Sequence, residues 1–224
     1  VSNLRTGIAA ADPLIGGGTV LAIDAARDGG DVAIRRGRFA SPALNATVEG
    51  EIGAETGDLT AELALDNLGR ILSGVSGAAN ARLALSRDGG PWGVDAQVQG
   101  PAGTRVSAGG TVAPAFDTVD LDLDGVLPLG FANGFIAPRS VDGTARFDLS
   151  VNGPPALGSV SGTITTAGAR SVAPALGIVI EETDGTIGLS NGTARLDIDA
   201  PVQGGGGIAL DGSVGLSAPF NGDV

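Results

Sequence analysis

Gly188-Leu189-Ser190-Asn191-Gly192 spells Gly-x-Ser-x-Gly, the pattern that presents a serine nucleophile on a sharp turn from strand to helix. Such a serine needs an imidazole to take its proton, and this chain has no His. After Gly192 comes the alternating run Thr193 to Ile198, so the motif reads as a hairpin turn between two strands. With no Cys either, thiol nucleophiles and His/Cys zinc sites are excluded. All 13 basic residues are Arg, so a Walker-type phosphate loop lacks its lysine. Gly204 to Gly207 leads into a strand, where a dinucleotide site would use a helix N-terminus.

Asp120, Asp122 and Asp124 stand at alternate positions, as do Asp197 and Asp199. Alternate strand residues lie about 6 to 7 Å apart and point in parallel, whereas Ca²⁺ collects roughly six to eight oxygens that converge from loops. These rows read as a solvated outer face. A net charge of −12 and the lack of a basic stripe argue against nucleic acid as a partner. The one dense cluster, Arg35, Arg36 and Arg38, reads as a solvated strand end. No run approaches the ~18 to 20 apolar residues of a membrane-spanning helix. Residue types and spacing thus predict no catalytic site, no metal and no cofactor.

The elements around these residues are strands. Leu210, Gly212, Val214 and Leu216 alternate with Asp211, Ser213 and Gly215, and a period of two means β-structure. The same phase, with glycine on the apolar side, recurs at Val48-Gly50-Ile52, Val75-Gly77-Ala79, Val141-Gly143-Ala145, Val160-Gly162-Ile164 and Gly185-Ile187-Leu189. These glycines are expected to line an apolar concave face and thin it. Turns are predicted at Arg27 to Asp31, Glu55 to Asp58, Arg87 to Pro91, Gly100 to Gly103, Ala113-Pro114, Gly153 to Pro155 and Ser190 to Gly192. Loops this short favour an antiparallel meander, because parallel neighbours need long crossovers. Two segments break the alternation: Asp66 to Leu72 reads as a short helical turn with an acidic start, and Leu127 to Pro138 as an apolar loop or helical turn. A third irregular segment, Ser2 to Ile15, precedes them at a similar interval, which suggests four strands closed by a crossing segment as a repeating unit. No linker or composition shift divides the chain. It reads as one elongated all-β segment spanning residues 1–224 and cut from a longer protein.

The stretch from Leu127-Pro128-Leu129 through Ile136-Ala137-Pro138, then Val141-Asp142-Gly143-Thr144-Ala145-Arg146-Phe147-Asp148-Leu149 through Pro154, then Val160-Ser161-Gly162-Thr163-Ile164, resembles the C-terminal region of the TamB family, the translocation and assembly module subunits of the wider AsmA-like group. The pair Gly206-Gly207 before Ile208-Ala209-Leu210-Asp211-Gly212 is similar too. The likeness covers Leu127 to Val224 best, and before that only strand pattern and glycine spacing carry it. The resemblance implies a long curled sheet, the β-taco or half-pipe, with an apolar lumen. It implies a periplasmic location in a Gram-negative cell, within a full-length protein anchored in the inner membrane and reaching an outer-membrane barrel partner. It further implies a role in outer-membrane biogenesis, by conducting phospholipid or by assisting β-barrel assembly and protein secretion.

On that reading the chain is non-enzymatic, and its ligand is a phospholipid or other apolar chain. The groove is expected to be lined by Ile52, Leu63, Leu65, Leu83, Leu85, Val94, Val98, Leu121, Leu123, Phe147, Leu149, Ile164, Ile178, Ile187, Leu189, Leu196, Ile198 and Leu210. A groove that chaperones barrel strands is the alternative, and a packed, secreted β-solenoid a further one. Unpaired first and last strands predict end-to-end self-association.

Overall fold

The computed structural model describes residues 14, 18–72, 74–201, 205–217 and 222–223. It falls into two units, Val1–Phe116 and Asp117–Val224, each built on antiparallel strands. The first holds β1(Val20–Asp28), β2(Asp31–Ala40), β3(Leu44–Ile52), β4(Thr56–Leu65), β5(Ala79–Asp88), β6(Trp92–Gln99) and β7(Arg105–Val112). Each pairs with the next in chain order, so this unit is a plain meander. The second holds β8(Val119–Pro128), β9(Ser140–Asp142), β10(Thr144–Gly153), β11(Val160–Ala173), β12(Ile178–Ser190), β13(Thr193–Pro201), β14(Gly207–Gly215) and β15(Gly222–Asp223). Here β8 pairs β10, and β10 to β15 pair in order. Strands β9 and β10 both lie against β11 and act as one strand interrupted at Gly143. The all-β, antiparallel expectation holds.

Hairpins form where small and polar residues can take a positive φ. Asn191 (φ 49°) and Gly192 (φ 71°) make the tight turn between β12 and β13. Ser190 therefore ends a strand that leads into another strand, as its neighbours predict. One turn is misplaced by the sequence reading. Thr56, Gly57 and Asp58 belong to β4, and the β3–β4 turn is Gly53-Ala54-Glu55, closed by Gly53 N–H donating to Thr56 O at 2.7 Å.

Both irregular segments contain short helical turns clamped by an asparagine, although the second begins only after Leu127 and Pro128, which still pair in β8. A 3₁₀ turn at Leu68–Arg70 is capped by Asn67, whose Oδ1 accepts from Gly69 N at 2.9 Å and from Gly77 N at 3.2 Å. In the second unit a 3₁₀ turn at Leu129–Ala132 runs into α1(Asn133–Ile136), and Asn133 Oδ1 accepts from Val141 N at 2.7 Å. Each asparagine ties its segment to backbone just before the next strand, or at its start. Among the described residues four strands precede the first segment and four more the second, the number that the proposed repeat expects. Ser2 to Ile15, apart from Leu14, lies outside the described residues.

The glycine expectation is corrected in part. Gly50, Gly162, Gly185 and Gly212 do pair with apolar-face residues, respectively Leu59, Leu149, Ile198 and Leu196. Gly77 precedes β5 and Gly143 marks the β9–β10 break, so neither sits within a strand. Gly50 and Gly162 hold φ of 137° and 123°, a region that side chains rarely adopt. A Cβ on Gly50 would run into the carbonyl of Asp58 and stand 2.9 Å from Leu59 Cα. A Cβ on Gly162 would strike the Asp148 carbonyl and stand 2.8 Å from Leu149 Cα. Backbone conformation, not room above the face, demands glycine at these two positions.

Candidate functional site

Register sorts each sheet into one apolar and one polar face. In the first unit, neighbours across the strands form rows: Ile23, Gly37, Val48, Ala61, Leu83, Ala96, Ala108; Ala25, Ile34, Gly50, Leu59, Leu85, Val94, Gly110; and Leu21, Phe39, Ala46, Leu63, Ala81, Val98, Val106. Large residues repeatedly oppose small ones, as in Leu63 with Ala81 and Leu83 with Ala61 and Ala96. In the second unit the rows are Leu121, Val151, Val160; Leu123, Leu149, Gly162, Leu189, Ala194, Val214; Gly125, Phe147, Ile164, Ile187, Leu196, Gly212; and Leu127, Ala145, Thr166, Gly185, Ile198, Leu210.

The predicted groove residues therefore fall into two groups, each on a single face. Ile52, Leu63, Leu65, Leu83, Leu85, Val94 and Val98 share the apolar face of the first unit. Leu121, Leu123, Phe147, Leu149, Ile164, Ile187, Leu189, Leu196, Ile198 and Leu210 share that of the second. Ile178 stands apart. It lies opposite Ala173, beyond two register shifts between β11 and β12, where Gly168 (φ 62°) and Glu182 (φ 55°) distort the ladder.

Burial distinguishes these faces from a closed core. A face packed under a second layer leaves several large side chains fully enclosed. Among the described residues, no large side chain falls below 2% exposure. The buried apolar positions are Ala43, Leu65, Val75, Ala79, Val119, Ala169, Ala194 and Ala200, most of them small. Leu65 and Ala79 face each other at the end of β4 and β5, beside the 67–77 segment. From β2 onward the aliphatic rows between are mostly half-buried, with Leu63 and Ile52 at 36% exposure, whereas the β1 members of the rows are exposed.

The opposite face is wet and ionic. Arg82 pairs with Glu62, with Nε to Oε1 at 3.1 Å, and Arg195 with Asp211 at 3.2 Å. Arg35 and Arg36 lie in the β2 bulge, between Ile34 and Gly37, and meet Asp24 at 3.7 Å and Glu49 at 3.8 Å, so the basic cluster is solvated and partly neutralised. The aspartate row is partnered as well. Ser150 Oγ donates to Asp122 at 2.9 Å and Asn152 Nδ2 to Asp120 at 3.2 Å. No cluster of metal-ligating side chains occurs among the described residues. A shallow depression of about 390 Å³ on this face is lined by Asn45, Thr47, Glu62, Asn80, Arg82, Gln97 and Gln99. Its two charged groups already satisfy each other.

Period alone puts Trp92 on one side with Val94, Ala96 and Val98, and the arginines beside it are the addition that the structure makes. The last row of the first unit carries Arg27, Val32, Ile52, Gly57, Arg87, Trp92 and Val112, so two arginines and the sole tryptophan stand in phase with the aliphatics. Arg87 is half-buried, its guanidinium 5.8 Å from the Trp92 ring centroid. It donates from Nε to Gly90 O at 2.8 Å and from Nη1 to Ala54 O at 3.2 Å. The Trp92 ring leaves no space for a Cβ on Gly57 beneath it. The signal was legible as Leu83, Leu85, Arg87 in strict alternation.

Comparison with protein-family models, with curated proteins and with solved structures returns no match.

Proposed function

We propose that the apolar faces bind hydrocarbon chains, and that the protein is a non-enzymatic lipid-conducting groove of the half-pipe kind. The observation that carries this reading is the sorting of aliphatic side chains onto one face of each unit, with no large side chain fully enclosed among the described residues. A face of this kind gains about 0.8 kcal/mol for each CH₂ removed from water. Rows of similar aliphatics let a chain slide with little change in contacts, so conduction needs no deep site. The wet face keeps the sheet soluble through its ion pairs and aspartates. The sequence resemblance to TamB supports a setting in the periplasm of a Gram-negative cell, with phospholipid as cargo and an outer-membrane barrel as partner of the full-length protein.

Lipid extraction and mass spectrometry of mildly purified protein test this reading. Wild type is expected to carry phospholipid, and Leu149→Asp, placed beside Leu123 in the middle of the second unit's apolar face, is expected to lose it while keeping its far-ultraviolet circular dichroism. Absence of lipid from wild type would refute the proposal. A second reading, a groove that assists outer-membrane β-barrel assembly, draws on β1, whose residues are exposed along their whole length. Photocrosslinks from Leu83 or Leu149 to a barrel precursor, with none to lipid, would favour it.

A further inference from the structure

Three consecutive hairpins of the first unit end at one lip of its apolar face. They are β1–β2 at Gly29-Gly30, β3–β4 at Gly53 to Glu55, and β5–β6 at Gly89 to Pro91. The opposite end is different, since Ala43, Leu65, Val75 and Ala79 are buried there. Among the described residues, cations stand in line with the aliphatics of this face at the lip, where Arg27 and Arg87 share the row of Ile52 and Gly57. Arg27 donates from Nε to Gly29 O at 3.0 Å, and Arg87 bridges two hairpins through Gly90 O and Ala54 O. Both arginines are held by neutral carbonyls. Neither forms an ion pair within 4.0 Å among the described residues, although Asp28, Asp31, Glu55 and Asp88 occupy the same hairpins. Arg35, Arg36 and Arg82 on the wet face, by contrast, each meet a carboxylate.

Arginine presents five N–H donors, and two of Arg87's are used, which leaves three. A guanidinium whose orientation is set by two backbone carbonyls pays little entropy to take a phosphate in a bidentate bond. Trp92 sits against it, and tryptophan favours places where an apolar medium meets a wet one. We infer that Arg87, with Trp92 beside it, is the headgroup station of the first unit, binding the phosphate of an anionic amphiphile whose chain lies on the Leu85, Val94 and Leu83 rows. The inference rests on the reading of the apolar face as a lipid surface. It adds what that reading lacks, a polarity for the bound molecule: head at the hairpin lip, tail inward. Among the described residues of the second unit, Arg146 and Arg195 fall on the wet face and Arg170 meets Glu181 at 3.4 Å.

Trp92 is the one tryptophan of the chain, so its emission reports on the station directly. The full chain is titrated with dodecyl phosphate, with dodecyl maltoside and with inorganic phosphate, the amphiphiles below their micelle concentrations. Dodecyl phosphate is expected to shift Trp92 emission and to bind about tenfold more tightly than dodecyl maltoside, the order that one charge-assisted contact supplies. Arg87→Gln is expected to bring the two amphiphiles together, and Arg87→Lys to restore part of the preference. Equal binding of the two amphiphiles by wild type overturns the headgroup station and leaves the apolar face standing. A response to inorganic phosphate as strong as that to dodecyl phosphate overturns it in favour of a simple anion site. Failure of both amphiphiles to bind, and of an apolar dye to be taken up, overturns the lipid reading itself. Unchanged circular dichroism of both variants separates lost binding from lost fold.

Discussion

Replacing Gly50 by Ala tests the claim that backbone geometry, and not space above the sheet, requires glycine there. The substitution carries two costs. At φ 137° an L-residue is strained by about 1 to 3 kcal/mol. The new Cβ would also overlap the Asp58 carbonyl and crowd Leu59 Cα at 2.9 Å, both part of the neighbouring strand's backbone. Overpacking of that kind costs a further ~1 to 3 kcal/mol. The sum, about 2 to 6 kcal/mol, is a large share of the roughly 5 to 15 kcal/mol that holds a domain together. Gly109→Ala in β7 is the control. Its Cβ would have no atom nearer than 4.0 Å and no positive φ to sustain, so it is expected to be neutral or stabilising by up to ~1 kcal/mol. Urea unfolding followed by Trp92 emission reads the first unit alone. The midpoint is expected to fall by about 1 to 3 M for Gly50→Ala and to stay within error for Gly109→Ala. Equal midpoints for the two variants would refute the reasoning. If glycine instead served only to leave room for cargo, Gly50→Ala would weaken lipid binding without moving the midpoint.

Gly162→Ala in the second unit meets the same pair of obstacles, and circular dichroism is expected to show a loss of similar size. At β1, where Val20, Leu21 and Ile23 are 59%, 59% and 63% exposed, self-association is expected on concentration and is expected to weaken in Ile23→Lys; small-angle scattering that stays monomeric across a concentration series speaks against it. The Arg70 guanidinium holds the Asp66 carboxyl below its usual range by a hydrogen bond and by charge. A depressed carboxylate stabilises above its unfolded pKa and stops doing so as pH falls through the folded value, so amide exchange of residues 67–77 is expected to quicken only in acid, below the ordinary aspartate range. Asp66→Asn should remove that dependence. Asn191→Val places a β-branched residue at φ 49° and is expected to cost about 1 to 2 kcal/mol in a urea melt.

How much was legible before folding is clearest at particular residues. Leu59, Ala61, Leu63 and Leu65 declare their strand and their dry face by period alone, because alternate side chains of a strand must leave opposite sides. The face assignments for Leu83, Val94, Leu149 and Ile187 hold for the same reason. The helical turns at 68–70 and 129–136 were visible as interruptions of that period, the second two residues later than the period suggests because Leu127 and Pro128 still pair in β8. Gly77 and Gly143 were misread because they fall in phase with neighbours yet stand where a strand begins or breaks, which hydrogen bonding decides and composition does not. The β3–β4 turn slipped for a similar reason. Gly57 looks like a turn glycine, but it pairs with Ile52 on one side and Arg87 on the other, and the Trp92 ring lies on it from two strands away.

Composition and period thus determined an antiparallel all-β chain with dry and wet faces and with no residues for imidazole, thiol or lysine chemistry. That much follows from local sterics and residue type, which need no partner strand. Tertiary structure decided the rest, because it depends on register: which aliphatics share a row, that Gly50 and Gly162 answer to a neighbouring carbonyl, and that Arg27, Arg87 and Trp92 stand along one lip of an otherwise apolar face. A one-residue slip would move every one of those side chains to the other side of the sheet. The alignment of one strand with its neighbour is set by the turns and by packing across the whole row, and no single segment of sequence contains it.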